Sequence, residues 1–190
     1  SCNRQNLEQP LWQPIIEHDP DLFMFLGDNI YGDTDDMTVL REKYELQKNQ
    51  IDYKTLREQV PIIGVWDDHD YGKNDAGQEY KFKKESQQLF LDFFDVSQVD
   101  PRREREGAYS SYDLKWKSHT IKVILLDARY HRDHLDRVNR VYQKNEKGTI
   151  LGEAQWAWLE KELSDPTVSL YIIASGIQFI PEDHDYEKWA

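Results

Sequence analysis

An α/β layered fold follows from three observations on the sequence. Four short apolar runs, at residues 22–26, 61–66, 121–126 and 169–174, have the length and content of buried strands. Segments with helically spaced apolar residues separate them, and strand–helix alternation is the pattern of layered α/β domains. Each run ends in a polar cluster: Gly27-Asp28-Asn29, Asp67-Asp68-His69-Asp70, Asp127-Ala128-Arg129 and Ser175-Gly176. Open α/β sheets bind ligands beyond the carboxyl ends of their strands. Parallel strands would therefore bring acids, an amide, a histidine and an arginine to one edge.

The elements justify themselves in chain order. Residues 11–18 read as a short helix beginning near Pro10. The first strand is rich in Leu, Phe and Met, and Gly27 permits a tight exit from it. Residues 37–59 carry Leu40, Tyr44 and Leu56 among many charges, which fits two helices broken near Asn49-Gln50. The Ile- and Val-rich run 61–66 is the second strand. Residues 79–94 place Phe82, Leu89, Phe90, Phe93 and Phe94 at helical spacings. Residues 107–117 alternate loosely and are expected to pair as an antiparallel ribbon with 121–126. Residues 132–148 are polar and basic and read as an exposed excursion. Residues 152–163 set Trp156, Leu159 and Leu163 on one face, expected to pack on a sheet. No repeat or low-complexity linker interrupts the chain, so its 190 residues read as one domain or most of one.

Composition narrows the function. The formal net charge of −12 disfavours binding to nucleic acid backbones, and any phosphate site needs local cations. No apolar run reaches the ~18–20 residues of a membrane span. The single cysteine, Cys2, rules out an internal disulfide.

The polar clusters carry the chemistry. In "GDNIY", Asp28 sits at a strand tip and Tyr31 lies three residues on. Two readings are open: Asp28 caps a following turn and Tyr31 is core, or both are metal donors. A phenolate matches strongly Lewis-acidic iron better than zinc or magnesium. "VWDDHDYGKND" packs four acids, His69 and Asn74 into eleven residues. Like charges so close raise one another's pKa unless a cation compensates, and carboxylates with an amide suit calcium or magnesium. A fully solvated acidic turn is the alternative. Cys2 is a metal donor only if its segment lies at a further strand tip. Arg129 is either a bidentate phosphate clamp or a salt-bridge partner of the nearby acids. His131 and His134 read as loop histidines, and His18, His119 and His184 have no supporting context.

In this order "SCNRQ", "FLGDNIYGD", "VWDDHDYGKND", "LLDARYHRD", "LGEAQWAWLEKEL" and "SGIQF" resemble the PhoD-type alkaline phosphatase/phosphodiesterase family, a branch of the calcineurin-like metallophosphoesterases, along essentially the whole chain. Gly-Asp-x-x-Tyr is shared with purple acid phosphatases; together with Trp-Asp-Asp-His it is specific. The resemblance implies a four-layer α/β/β/α sandwich with a metal pair at the sheet edge. It implies iron(III) with calcium neighbours, other divalent metals being possible, and hydrolysis of small phosphate monoesters or diesters. Carried over, Cys2, Asp28 and Tyr31 would hold the iron, with Asp28 bridging to calcium. Asp67 or Asp68, and Asn74, would serve the second metal, while His69 and Arg129 would face the phosphate. Further family ligands would lie beyond Ala190 and a first strand before Ser1. The expectation is therefore a sandwich and a metal site incomplete at both termini. Family members are usually exported, which implies a periplasmic or extracellular parent protein. The rival readings are a non-catalytic calcium-binding module and an inactive family fragment. Cys2 and Tyr31 discriminate against the first, because calcium takes oxygen ligands, and pure calcium sites use neither thiolate nor phenolate.

Overall fold

The computed structural model describes residues 2–139, 141–180 and 186–189, which leaves His184 outside. After helix α1 (Trp12–Glu17), strand β1 (Phe23–Leu26), helices α2 (Met37–Lys48) and α3 (Ile51–Gln59) and strand β2 (Ile62–Val65) form one unit. β1 and β2 pair in parallel, from Phe23 opposite Ile62 to Leu26 opposite Val65. The expected break between α2 and α3 is there. Asp36 starts α2 by accepting from Thr38 N at 2.8 Å, and Gln50 starts α3 by accepting from Tyr53 N at 3.1 Å.

A four-residue helix, α4 (Asp68–Tyr71), opens from the tip of β2, and α5 (Lys83–Phe93) follows. Strands β3 (Ser110–Trp116) and β4 (His119–Leu125) form the expected antiparallel ribbon. The excursion folds its middle into a small hairpin, β5 (Arg137–Val138) with β6 (Val141–Tyr142). Helix α6 (Gly152–Leu163) leads to β7 (Leu170–Ala174), which lies parallel to β4 and gives a second sheet of order β3-β4-β7.

Strand alternation divides the apolar side chains into three cores, and the three cores define four layers. Phe23 and Phe25 of β1 pack with Trp12, Leu40, Tyr53, Leu56 and Phe93 from the helices. Met24, Ile63 and Val65 face Val123, Leu125 and Ala174 between the two sheets. Ile124 and Leu126 point the other way, onto Leu151, Leu159 and Trp158 of the α6 layer. The four strands of the sequence reading thus divide between two sheets, with their carboxyl ends still gathered at one place. Among the described residues no helix is long and apolar enough to cross a membrane.

The packing of α6 differs from expectation. Leu159 is buried, but Trp156 is 48 % exposed and Leu163 41 % exposed. The most buried side chain of the helix is polar: Gln155 accepts from Asp127 N and donates to Asp127 O, both at 2.8 Å. This amide pair ties α6 to the tip of β4 and turns the helix away from the Trp156 face.

Candidate metal centre

Four strand tips meet above the sheets, and close backbone approach holds them there. A Cβ on Gly27, beyond β1, would come within 2.6 Å of Asp67 Cβ, beyond β2. A Cβ on Gly176, beyond β7, would come within 2.5 Å of Trp66 O. Only glycine fits at either point. The β4 tip joins through Asp127, whose buried carboxylate accepts from Trp66 Nε1 and Ala108 N at 2.8 Å and from Arg129 N and Tyr130 N at 2.9 Å.

The acid, amide and phenol of "GDNIY" part company at the β1 tip. Asn29 turns inward, donating to Val65 O at 2.9 Å and to Asp70 Oδ2 at 2.5 Å. Asp70 is wholly buried and also accepts from Asp67 N at 2.6 Å, so it bolts α4 to both tips. Asp28 and Tyr31 turn the other way, into a cleft of about 720 Å³. Tyr31 OH donates to Asp28 Oδ2 at 3.3 Å, and Cys2 Sγ donates to the same oxygen at 3.6 Å. Cys2 reaches it because Asn3 N bonds Asp28 O at 2.9 Å and Gln5 clamps the Tyr31 backbone through both its amide atoms. The Tyr31 ring meets Arg4, 4.4 Å from its centroid, and the tilted His69 ring at 4.3 Å. Cys2, Asp28, Asp33 and Asp75 all adopt positive φ, a strained backbone of the kind that gathers at functional sites.

The side chains singled out from sequence mostly come together. Cys2, Asp28, Tyr31, Asp67, Asp68, His69 and Asn74 all line this one cleft. Two groups of potential donor atoms, Asp28 with Asp68 and His69, and Asp67 with Asp68 and Glu187, each lie within 4.8 Å of one another. Glu187 was not singled out, since nothing in "DYEKWA" marks it before the chain folds. Arg129 is the exception. It is wholly buried and does not line the cleft. Its guanidinium forks onto Asp67, with Nε–H donating at 2.7 Å and Nη2 closer still, and Nη2 also meets Glu187. The salt-bridge reading of this residue is the one its position supports.

The charges show what is missing. One guanidinium serves Asp67, Glu187 and, at 3.9 Å, Asp68. The carboxylates hold Arg129 strongly in its charged form, and Arg132 adds a second guanidinium 3.7 Å from Glu187, yet these two cations do not compensate the cluster. Burial, with Asp68 adding, pushes Asp67 up to about 6 although Arg129 pulls it down. Burial likewise raises Glu187. Burial and then Asp68 raise Asp28, whose buried Oδ1 has no hydrogen-bond partner among the described residues. Burial and Asp28 raise the Tyr31 phenol. A bound cation would supply the missing charge and the missing partner, and thiol, phenol, carboxylate and imidazole are metal donors. The residues therefore fit a metal site.

This charge deficit sets a pH dependence. Asp67 is less acidic in the folded chain than its ordinary value of 3.8, so the folded state holds its proton longer than the unfolded state. Stability of the cation-free chain should fall as pH rises from about 4 to 6 and level off above that. Urea midpoints across this range check the sign. Saturating cation should flatten or reverse the slope.

Comparison with known proteins places the architecture. No curated protein matches. A solved structure of PhoD matches with a TM-score of 0.69 at 17 % identity, over 89 % of this chain and 38 % of that one. The present chain thus spans well under half the length of that protein, and the likeness speaks for the fold. A family model described as PhoD-like phosphatase matches residues 1–189. The chain belongs to the PhoD-like phosphatase family.

Proposed function

We propose that the cleft is the metal-dependent active site of a phosphoric ester hydrolase acting on small phosphate monoesters or diesters. The observation that carries this reading is the convergence of Cys2, Asp28, Tyr31, Asp68 and His69 from separate tips onto one undercompensated cleft. Cys2, Asp28 and Tyr31 would hold a ferric ion, for which thiolate and phenolate are apt donors. Asp68 and Asn74, with Asp67 behind them, would hold calcium or another hard divalent ion. When bound, such cations supply Lewis acidity to the phosphoryl group and lower the pKa of a nucleophilic water. A purple or brown colour from phenolate-to-iron charge transfer supports the iron assignment, and a colourless iron-loaded protein counts against it. An exported parent protein, periplasmic or extracellular, goes with this reading, and cell fractionation checks it.

The chain's own part is positioning and proton transfer. Asp33 holds His69 Nδ1 at 2.7 Å, while Gly32 N bonds His69 O at 2.9 Å, so side chain and backbone of one loop fix the imidazole. In the cation-free chain burial opposes the charged ring, but Asp33, Asp68 and Asp28 outweigh it and raise His69; with Asp28 and Asp68 on metal, the Asp33 hydrogen bond is the support that remains. His69 is thereby suited to give a proton to the leaving oxygen. In the protein carrying this sequence, His69→Asn should lower turnover of an alkyl phosphate by about 10²–10⁴-fold. Nitrophenyl phosphate, whose leaving group departs without a proton, should lose far less. Equal losses on both esters remove the proton-donor role. Full activity on both removes His69 from the site.

A further inference from the structure

Arg129, which the family resemblance would set facing the phosphate, is wholly buried. The cleft wall carries five carboxylates, Asp28, Asp67, Asp68, Asp75 and Glu187. Among the described residues lining it there is one guanidinium and no ammonium group, and that guanidinium belongs to Arg137. In a chain of net charge −12, long-range attraction does not bring anions to this cleft, so local cations have to: bound metal ions and His69 at the reacting phosphoryl group, and Arg137 for charge beyond it.

Arg137 is placed for that task. It opens β5 and sits directly opposite Tyr142 of β6 in the hairpin register. Its guanidinium lies over the Tyr142 ring, 4.1 Å from the centroid, and Tyr142 lines the same cleft. The ring supports the planar fork from one side. At its end the fork is paired with Asp75, and the Arg137 side chain remains 47 % exposed. Ion pairs at such exposed positions contribute little. A bidentate bond to a phosphate oxygen pair is stronger and more directional. The Asp75 carboxylate would keep a partner without Arg137, because Asn74 Nδ2 donates to it at 2.5 Å.

We propose that Arg137 is a substrate-contacting residue that leaves Asp75 to bind a second negative charge on the phosphoester. The hairpin β5–β6 thereby biases the cleft towards substrates carrying two negative charges, such as a monoester dianion. A diester whose neighbouring group is itself anionic presents the same chemistry. This inference rests on the phosphoesterase reading and adds to it the charge class of the substrate.

The test uses Arg137→Gln and Arg137→Lys in the metal-loaded protein. Because the Arg137–Asp75 pair is exposed and such pairs contribute little, neither change should move the melting temperature appreciably. Inorganic phosphate, titrated calorimetrically, should bind Arg137→Gln about tenfold or more weakly than wild type. Arg137→Lys should lose less, since it keeps the charge and not the fork. KM for nitrophenyl phosphate should rise about tenfold in Arg137→Gln with kcat nearly unchanged. KM for bis-nitrophenyl phosphate, with one charge, should rise far less. A third ester, a diester bearing a distal carboxylate or phosphate, should behave as the monoester does if the second charge is read wherever it lies. It should follow the simple diester if only the reacting phosphate is read, which confines the contact to monoesters. Wild type that binds phosphate no better than Arg137→Gln overturns the role of Arg137 and leaves the phosphoesterase reading intact. Equal KM rises for the mono- and simple diester overturn the charge preference. Metal-loaded wild type that binds no phosphate overturns both readings.

Discussion

Asp28→Asn should make the cation-free chain more stable and weaken its response to cations. Asp28 is only 8 % exposed, its pKa is raised by burial and then by Asp68, and its Oδ1 is unpartnered among the described residues. Removing the charge relieves the cluster while leaving Cys2 and Tyr31 an oxygen to bond. The gain comes from lost like-charge repulsion, since the amide NH2 takes the unpartnered Oδ1 position, and should be roughly 1 kcal/mol, the usual size of a single-residue effect. That corresponds to roughly 2–4 °C in melting temperature for a chain of this size. With cation at about 100 times its dissociation constant the order should invert, because wild type gains about 2.7 kcal/mol from binding and the variant gains much less. Turnover by the variant should fall by more than the roughly 10–100-fold seen when only outer-shell partners of a metal are changed. Paired melting curves with and without cation check the inversion. An Asp28→Asn chain that melts lower than wild type without cation would make Asp28 a structural cap.

Arg129→Ala should act on the fold before it acts on any reaction. The guanidinium is wholly buried and serves Asp67 and Glu187, with Asp68 at 3.9 Å. Truncation leaves Asp67 without its cation and Glu187 with only Arg132, 3.7 Å away, and breaking a buried pair from one side costs about 3–5 kcal/mol. The melting temperature should drop by roughly 6–20 °C, combining that loss with about 2–4 °C per kcal/mol. Arg129→Lys should recover little, because an ammonium cannot fork between two carboxylates. A residue that touched only phosphate would show the opposite pattern, with KM raised and melting unchanged. Thermal unfolding of both variants separates the two roles.

The fold was largely legible because its strands are short apolar runs with polar ends. Each observed strand among the four lies within one or two residues of its run, and the break at Asn49-Gln50 is marked by residues that favour helix ends. Helix α4 was hidden because its sequence, Asp-His-Asp-Tyr, reads as a ligand cluster. It forms because Asp70 bonds the backbone of Asp67 at its first turn. Trp156 misled for a different reason. Hydrophobicity ranks it above Gln155, but only Gln155 can satisfy both backbone groups of Asp127.

The candidate site was legible where its residues are adjacent in sequence and illegible where partners are distant. Asp28 and Tyr31, or Asp67 through Asn74, announce themselves as clusters. Arg129 read equally as a clamp or as a salt-bridge partner of nearby acids, and its partner Glu187, 58 residues away, could not be named. Arg137 was passed over inside a polar excursion. The signal was present: "RVNRVY" holds an Arg and a Tyr five residues apart around an Asn, and Asn139 takes positive φ. Asn at a turn is a hairpin mark, and a hairpin pairs the flanking residues across strands.

Metal content after equilibrium dialysis decides whether the converged strand tips hold cations. The wild-type chain, dialysed against iron and calcium at neutral pH, should retain at least one equivalent of metal. Asp28→Asn combined with Asp68→Asn should retain none while keeping its fold. Wild type that emerges free of metal, or a double variant that retains as much as wild type, contradicts the proposed centre and the hydrolase reading built on it.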